Sequence, residues 1–317
     1  MRRAISGLID RWRVRRDPST TVCLIIKDEG RYLAEWLAHY LTLGFDRIVI
    51  YDNDSGPETL AIERRCAEAD PRITVIPWPD VPGKFAQLTA YEDALKRCST
   101  DWIAFFDTDE FLVLKTDACI QGYLKRAPAN AGAVCVNWVV FGSSGEAHYR
   151  PEPVTRRFRR CSLTSPVNEH VKCIVRKAGA KRMNHPHSPR LRRRFSYVDG
   201  DLTPFELDRR AFNPNHSYET AQLNHYVLRS REEYQEKLRR GMPEPLEGGR
   251  KHAKFADPEA FWSRHDFGET EDRSIDSWTD KASVLRSAFG GSLEERRNDT
   301  ANTAHAVSAM TASNTPA

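Results

Sequence analysis

Asp107, Asp109 and Glu110 follow directly on a short apolar run, Trp102-Ile103-Ala104-Phe105-Phe106, and the chain turns apolar again at Phe111-Leu112. An apolar run bounded by charge reads as a strand buried on both faces. In open α/β sheets ligands collect beyond the carboxyl ends of strands, where these carboxylates would lie. Residues i and i+2 of an extended chain share a side, so Asp107 and Asp109 are expected to reach one cation. Two hard oxygen donors suit Mn²⁺ or Mg²⁺, which also accept phosphate oxygens. Burying three carboxylates unpaired between phenylalanines is costly, which favours a metal site over a plain strand end.

The elements around that stretch alternate. Thr21–Ile26 reads as a first buried strand. Tyr32, Leu33, Trp36, Leu37, Tyr40 and Leu41 then form a stripe at helical spacing, closed by Gly44. Arg47–Tyr51 is a second strand, Pro57 opens a second helix, and Ile73–Ile76 is a third strand. A helix near 85–98 leads into the strand that ends at Asp107. This order predicts a mainly parallel, Rossmann-like α/β sheet with helices on both faces. The strand ends Lys27-Asp28-Glu29, Asp52-Asn53-Asp54 and Asp107-Thr108-Asp109 are expected to line one rim. The second half holds strands at 133–141 and 171–176, a His-rich segment Asn184-His185-Pro186-His187, the run Asn224-His225-Tyr226, and a charged helix near 230–240. No Gly-x-Gly-x-x-Gly or Gly-x-x-x-x-Gly-Lys loop is present, so dinucleotide and P-loop readings lack support.

Forty-eight Lys and Arg against 44 Asp and Glu leave a net charge of +4. The excess is clustered at Arg2, Arg3, Arg11, Arg13, Arg15 and Arg16, and again at Arg190, Arg192, Arg193 and Arg194. Such clusters suit peripheral contact with an anionic membrane or phosphorylated substrates. No nucleic-acid reading motif accompanies them. Seven scattered cysteines without a Cys-x-x-Cys pair point to a reducing compartment. No run has the length of a membrane span, and the N-terminus lacks the apolar core of a signal peptide. The expected location is cytoplasmic, or the inner face of the membrane. We divide the chain into a basic segment at 1–18, a main domain at 19–245, a helical extension at 246–297 and a disordered tail at 298–317.

An ordered series of residues carries a family resemblance: Lys27-x-Glu29, Glu35-Trp36-Leu37 with His39-Tyr40, Tyr51-Asp52-Asn53, Ser55, Trp78-Pro79, Gln87, Trp102 to Phe111, Asn137-Trp138, Phe141 to Gly145, His170-x-Lys172, and Asn224-His225-Tyr226. From about Val22 to Gly241 the chain resembles glycosyltransferase family 92 and similar bacterial family 2-like glycosyltransferases. The resemblance implies a GT-A fold with an acceptor-side C-terminal half, a nucleotide-sugar donor, a divalent cation on Asp-x-Asp and inversion at the anomeric carbon. It departs from the family at Asp28, often Asn, and at Gly56-Pro57, where an acidic residue is often found.

On that reading Lys27, Glu29, Asp52, Asn53, Lys84, Gln87 and Asp107 are the donor-binding candidates. Glu169 is the candidate general base, and Trp138 with Ser143 and Ser144 would face the acceptor, a glycan or lipid-linked hydroxyl. Asp107 and Asp109 would hold the metal. His185 is the chosen third ligand and His187 the near alternative, with His225 read as a buried structural histidine. A nucleotidyltransferase on a similar sheet would be expected to carry a Gly-rich basic loop after its first strand, which Lys27-Asp28-Glu29-Gly30 is not. A haloacid-dehalogenase-type phosphatase would place its Asp-x-Asp nearer the N-terminus. A non-catalytic sugar- or nucleotide-binding protein is the remaining alternative.

Overall fold

The computed structural model describes residues 17–208, 211–215, 217–241 and 253–290. The arginines of residues 1–16 and the tail read as disordered from 298 lie outside them. The first half alternates as expected: β1 (Thr20–Ile26), α1 (Gly30–Thr42), β2 (Arg47–Asp52), α2 (Pro57–Ala69), β3 (Ile73–Pro77), α3 (Ala86–Arg97) and β4 (Trp102–Phe105). Pro57 opens α2, and Gly44 follows α1 with φ +94°, a backbone that favours glycine. Gly30 opens α1 where a Cβ would come within 2.9 Å of Thr59 and Ile62, so its lack of a side chain lets α1 approach α2.

The second half adds β5 (Glu110–Leu114), α4 (Ile120–Lys125), β6 (Ala131–Val140), α5 (Val154–Arg157), β7 (Arg160–Cys161), a 3-10 turn at Pro166–Glu169, and β8 (Val171–Arg176). Then come β9 (Ala180–His185), β10 (Ser188–Leu191), β11 (Ser196–Asp199), β12 (Pro204–Phe205) and β13 (Ala221–His225). The chain continues with α6 (Arg231–Arg240), α7 (Ala253–Ala256), α8 (Pro258–His265), β14 (Thr270–Glu271) and α9 (Asp276–Phe289).

The main sheet runs β12-β11-β6-β8-β4-β1-β2-β3. Strands β3, β2, β1 and β4 are mutually parallel, and β6 and β11 are parallel to each other. Between β4 and β6 lies β8, antiparallel to both. β13 pairs parallel to β6 and antiparallel to β5. The expected mainly parallel α/β sheet is therefore present, with an antiparallel insertion that periodicity does not reveal. One core layer joins α1 to the sheet through Trp36, Leu37, Tyr40, Phe106 and Phe111; Ile275, Trp278, Ala282 and Phe289 around α9 belong to the same layer. The other lies between the sheet and α3, around Tyr51, Tyr91, Ile103 and Phe105. Among the described residues no helix is long and apolar enough to cross a membrane.

Candidate active site

β4 stops at Phe105, and Asp107 to Glu110 form a turn closed by Glu110 N–H donating to Asp107 O at 3.0 Å. This corrects the extended-chain expectation. Because the backbone turns, the two aspartates take different partners. Asp107 Oδ2 accepts from Lys172 Nζ at 2.8 Å, and its Oδ1 accepts from Gln87 Nε2 at 2.8 Å and Tyr91 hydroxyl at 3.0 Å. Asp109 Oδ2 accepts from Lys237 Nζ at 2.6 Å, and its Oδ1 lies 3.6 Å from His225 Nε2. Glu110 turns inward, accepting Asp107 N–H at 2.8 Å and Trp138 Nε1–H at 2.9 Å. Trp36 of α1 ties the turn down by donating to Asp107 O at 2.9 Å.

Long-range pairing places these partners. β8 pairs Ile174 with Ala104 of β4, so Lys172, two residues earlier, lies alongside the acidic turn. β13 pairs His225 with Glu110 and with Val140. Helix α6 begins with a capping box between Ser230 and Glu233, and Arg157 grips Glu233 with two hydrogen bonds of 2.8 Å. That anchorage aims Lys237 and Arg240 at the rim, where Arg240 Nη2 donates to Glu29 Oε1 at 2.5 Å.

Charge balance decides protonation. Burial alone would raise the Asp109 carboxyl, but Lys237, His225 and Arg229 outweigh it and hold it well below the ordinary carboxylate range. Burial pushes Glu110 up; Lys172 opposes this, and Asp107 and Asp109 add to the rise. Burial would lower Lys172, yet Asp107 and Glu110 prevail and raise it, so the lysine is charged. Burial, then the nearby Lys172, lowers both His185 and His187, leaving the imidazoles neutral at neutral pH.

Around Trp138 the rings of His170, His225 and His187 lie 4.7, 4.2 and 5.3 Å away by centroid, with His170 stacked on the indole. His187 Nδ1 must donate to Val171 O at 3.0 Å, which leaves a lone pair on Nε2. His185 Nδ1 instead accepts the His187 backbone N–H at 3.2 Å, which puts its proton on Nε2.

The other candidates divide. Gln87 reaches the acidic turn, as described. Asn53 Nδ2 donates to Trp78 O and Asp80 Oδ1, both at 2.9 Å, and Lys27 pairs with Asp80 at 3.0 Å. Glu29 accepts from Thr108 hydroxyl and from Arg240, so it braces the rim. Lys84 is exposed. Glu169 is half-buried at the end of the 3-10 turn before β8, beside His170. Ser143 is buried, with its Oγ accepting Gly145 N–H at 3.1 Å; Ser144 Oγ accepts Arg159 N–H at 3.2 Å. Ser143 therefore holds its own loop, and Ser144 ties that loop to the segment before β7. Lys237, Arg240, Arg229 and Tyr91 carry no role in the sequence reading. Tyr91 stands four residues after Gln87, the one local signal that both face Asp107.

The donors' chemistry fits a hard divalent cation: two carboxylates, each paired with an ammonium that such a cation can replace. Among the described residues no three His, Cys, Asp and Glu side chains stand together as a preformed metal group.

A mainly parallel α/β sheet with an acidic turn beyond a central strand defines the class of protein. Residues 20–244 match the model of glycosyltransferase family 92, and the chain belongs to that family. A family 92 protein of Ricinus communis is 29% identical over 185 residues, covering 57% of this chain and 33% of its own length. One of Oryza sativa subsp. japonica is 29% identical over 167 residues, 52% of this chain and 28% of its own. The chain thus spans about a third of the length of these curated relatives. A mannosyltransferase from Pyrobaculum calidifontis, solved with GDP-Man and Mn²⁺, is 15% identical with TM-score 0.37, over 96% of this chain and 86% of that one.

Proposed function

We propose that this chain transfers a sugar from a nucleotide-diphosphate donor, a UDP-sugar, to a hydroxyl of a glycan or lipid-linked acceptor, with inversion and with a divalent cation. The observation that carries the reading is the turn Asp107–Glu110 at the carboxyl end of β4, inside the family match and countered by Lys172 and Lys237.

In that reaction the acceptor oxygen bonds to the anomeric carbon while the bond from that carbon to the diphosphate oxygen breaks, its electron pair staying on the leaving nucleotide. Asp52, ending β2, and Asn53 just after it would hold the nucleoside, with Lys27 alongside. Gln87, Tyr91 and Lys172 fix Asp107 by hydrogen bonds. The acceptor proton passes to the Glu169 carboxylate, and the Trp138 indole borders the acceptor side. A cation held by Asp107 and Asp109 would supply Lewis-acid neutralisation of the leaving diphosphate. The hydrogen bonds described move the third-ligand proposal from His185 to His187, because a ligating histidine commonly donates its other ring N–H to a carbonyl. Exposed Arg190, Arg192, Arg193 and Arg194 support contact with an anionic surface that carries the acceptor.

The test is a mass-spectrometric assay of UDP release and sugar transfer from a panel of UDP-sugars, with Mn²⁺ or EDTA. Release that disappears in Asp107→Asn supports transfer. UDP binding without turnover on any donor would favour the non-catalytic binding alternative.

A further inference from the structure

Asp52 ends β2, with its backbone fixed on both sides: Trp78 N–H donates to Asp52 O at 2.7 Å, and Asn53 N–H donates to Ile26 O at 2.8 Å. Its side chain has no such anchorage. Asp52 is 7% exposed, and its Oδ1 is buried without a hydrogen-bond donor. Glu63 of α2 faces it and is 1% exposed, and both of its carboxyl oxygens are buried without a donor. Two ionised carboxylates are acceptors only and cannot bond each other. One proton between them changes that, because a neutral carboxylic acid donates.

We propose that Glu63 is a positioning residue: as a neutral acid it donates its proton to the Asp52 carboxylate and holds that group at the end of β2 for a nucleoside diphosphate. This rests on the donor-binding reading given under the proposed function. It assigns α2, which lies behind the rim, a part in donor binding.

The surroundings agree. Burial first, and then the charge of Asp52, push the Glu63 carboxyl up to about 8. Among the described residues Asp52 is the charged group that acts on Glu63; α1, β3 and α9, which also pack on α2, add none. On α2 itself, burial keeps the Cys66 thiol neutral by pushing it up to about 11, and Arg65 Nε donates to Phe289 O. Among the described residues no ammonium or guanidinium acts on Glu63, in contrast to the acidic turn, where Lys172 and Lys237 balance the carboxylates.

The sign of the pH dependence follows. A carboxyl raised in the folded state contributes stability that is fully present below its unfolded value, about 4.3. That contribution is lost as the pH rises through about 8. Above that point the pair carries two charges in a low-dielectric site and Asp52 is driven from its place.

The experiment compares the full chain with Glu63→Gln, which can donate but cannot ionise, and with Glu63→Leu, which can do neither. Melting temperature without ligand is followed between about pH 4.3 and about pH 8, and UDP affinity by calorimetry across about pH 8. The wild type is expected to lose both melting temperature and UDP affinity as the pH rises. Glu63→Gln is expected to bind UDP like the wild type at neutral pH and to stay flat in both measurements. Glu63→Leu is expected to bind UDP about tenfold more weakly at every pH, the worth of one buried hydrogen bond. A Gln variant that keeps the wild-type fall in melting temperature between about pH 4.3 and about pH 8 would overturn the shared proton. A Leu variant with wild-type affinity would overturn the positioning role. Failure of the wild type to bind UDP at any pH would sink the donor reading and the positioning role with it, while the ligand-free melting curves still decide the proton.

Discussion

Lys172 Nζ donates to Asp107 Oδ2 at 2.8 Å from a side chain that is fully buried, and the same ammonium lies 3.4 Å from Glu110. One buried cation thus balances two of the three carboxylates in the acidic turn.

Lys172→Met should therefore destabilise the protein, because it leaves Glu110 and Asp107 without their counter-charge. Asp107 is one-third exposed and water screens part of that loss, so the cost is expected near about 3 kcal/mol, the lower end for breaking a buried pair. Urea denaturation measures it. An unchanged midpoint would show that the pair contributes nothing net.

The Arg157–Glu233 pair anchors α6 at an interface where both side chains are almost wholly buried. Burial would raise Glu233, but the Arg157 hydrogen bonds and charge, aided by Arg229 and Ser230, hold it down at about 2. A depressed carboxyl contributes stability that is present above its unfolded value, about 4.3, and is lost as the pH falls through the folded one. Wild-type melting temperature should drop between about pH 4 and about pH 2. In Glu233→Gln this fall should be shallower, from a lower starting point. Parallel curves for the two proteins would rule the pair out as a source of acid sensitivity.

UDP should raise the melting temperature more with Mn²⁺ than with EDTA, since a ligand that binds only the folded state stabilises it by mass action. At about 100 times the dissociation constant the gain is about 2.7 kcal/mol. Equal shifts in the two buffers would remove the cation from the donor site.

The histidines near Trp138 separate by role. His187→Ala should raise the Mn²⁺ concentration needed for half-maximal activity, with a smaller change in His185→Ala. His225→Ala should instead lower stability, because it removes a buried ring 4.2 Å from the Trp138 indole and a partner of Asp109. Wild-type metal dependence in both His185→Ala and His187→Ala would exclude a third ligand from this segment.

Much of the frame was readable from local pattern. The stripe from Tyr32 to Leu41 predicts α1, the Pro57 start predicts α2, and Val171–Arg176 is a strand with the expected bounds. These features depend on the 3.6- and 2-residue periods and on short-range capping, which act within a few residues. Gln87 is a donor-binding candidate at the start of the helix before β4; that it donates to Asp107 emerges only from the fold. What the sequence by itself determined is therefore the alternating α/β order and the acidic stretch at a strand end.

Tertiary structure alone decided what neutralises that stretch. Lys172 reaches it because β8 inserts antiparallel between β4 and β6, and Lys237 because Arg157 fixes α6 over the rim. Each pairing spans scores of residues and is selected by burial and charge compensation, forces that leave no periodic mark on the chain. The turn at Asp107–Glu110 was hidden for a related reason. A strand that stops at Phe105 and one that runs on through Asp109 have the same local composition. The pairing of β5 with β13, which draws Glu110 inward beside His225, and the Trp36 bond to Asp107 O set where the backbone bends.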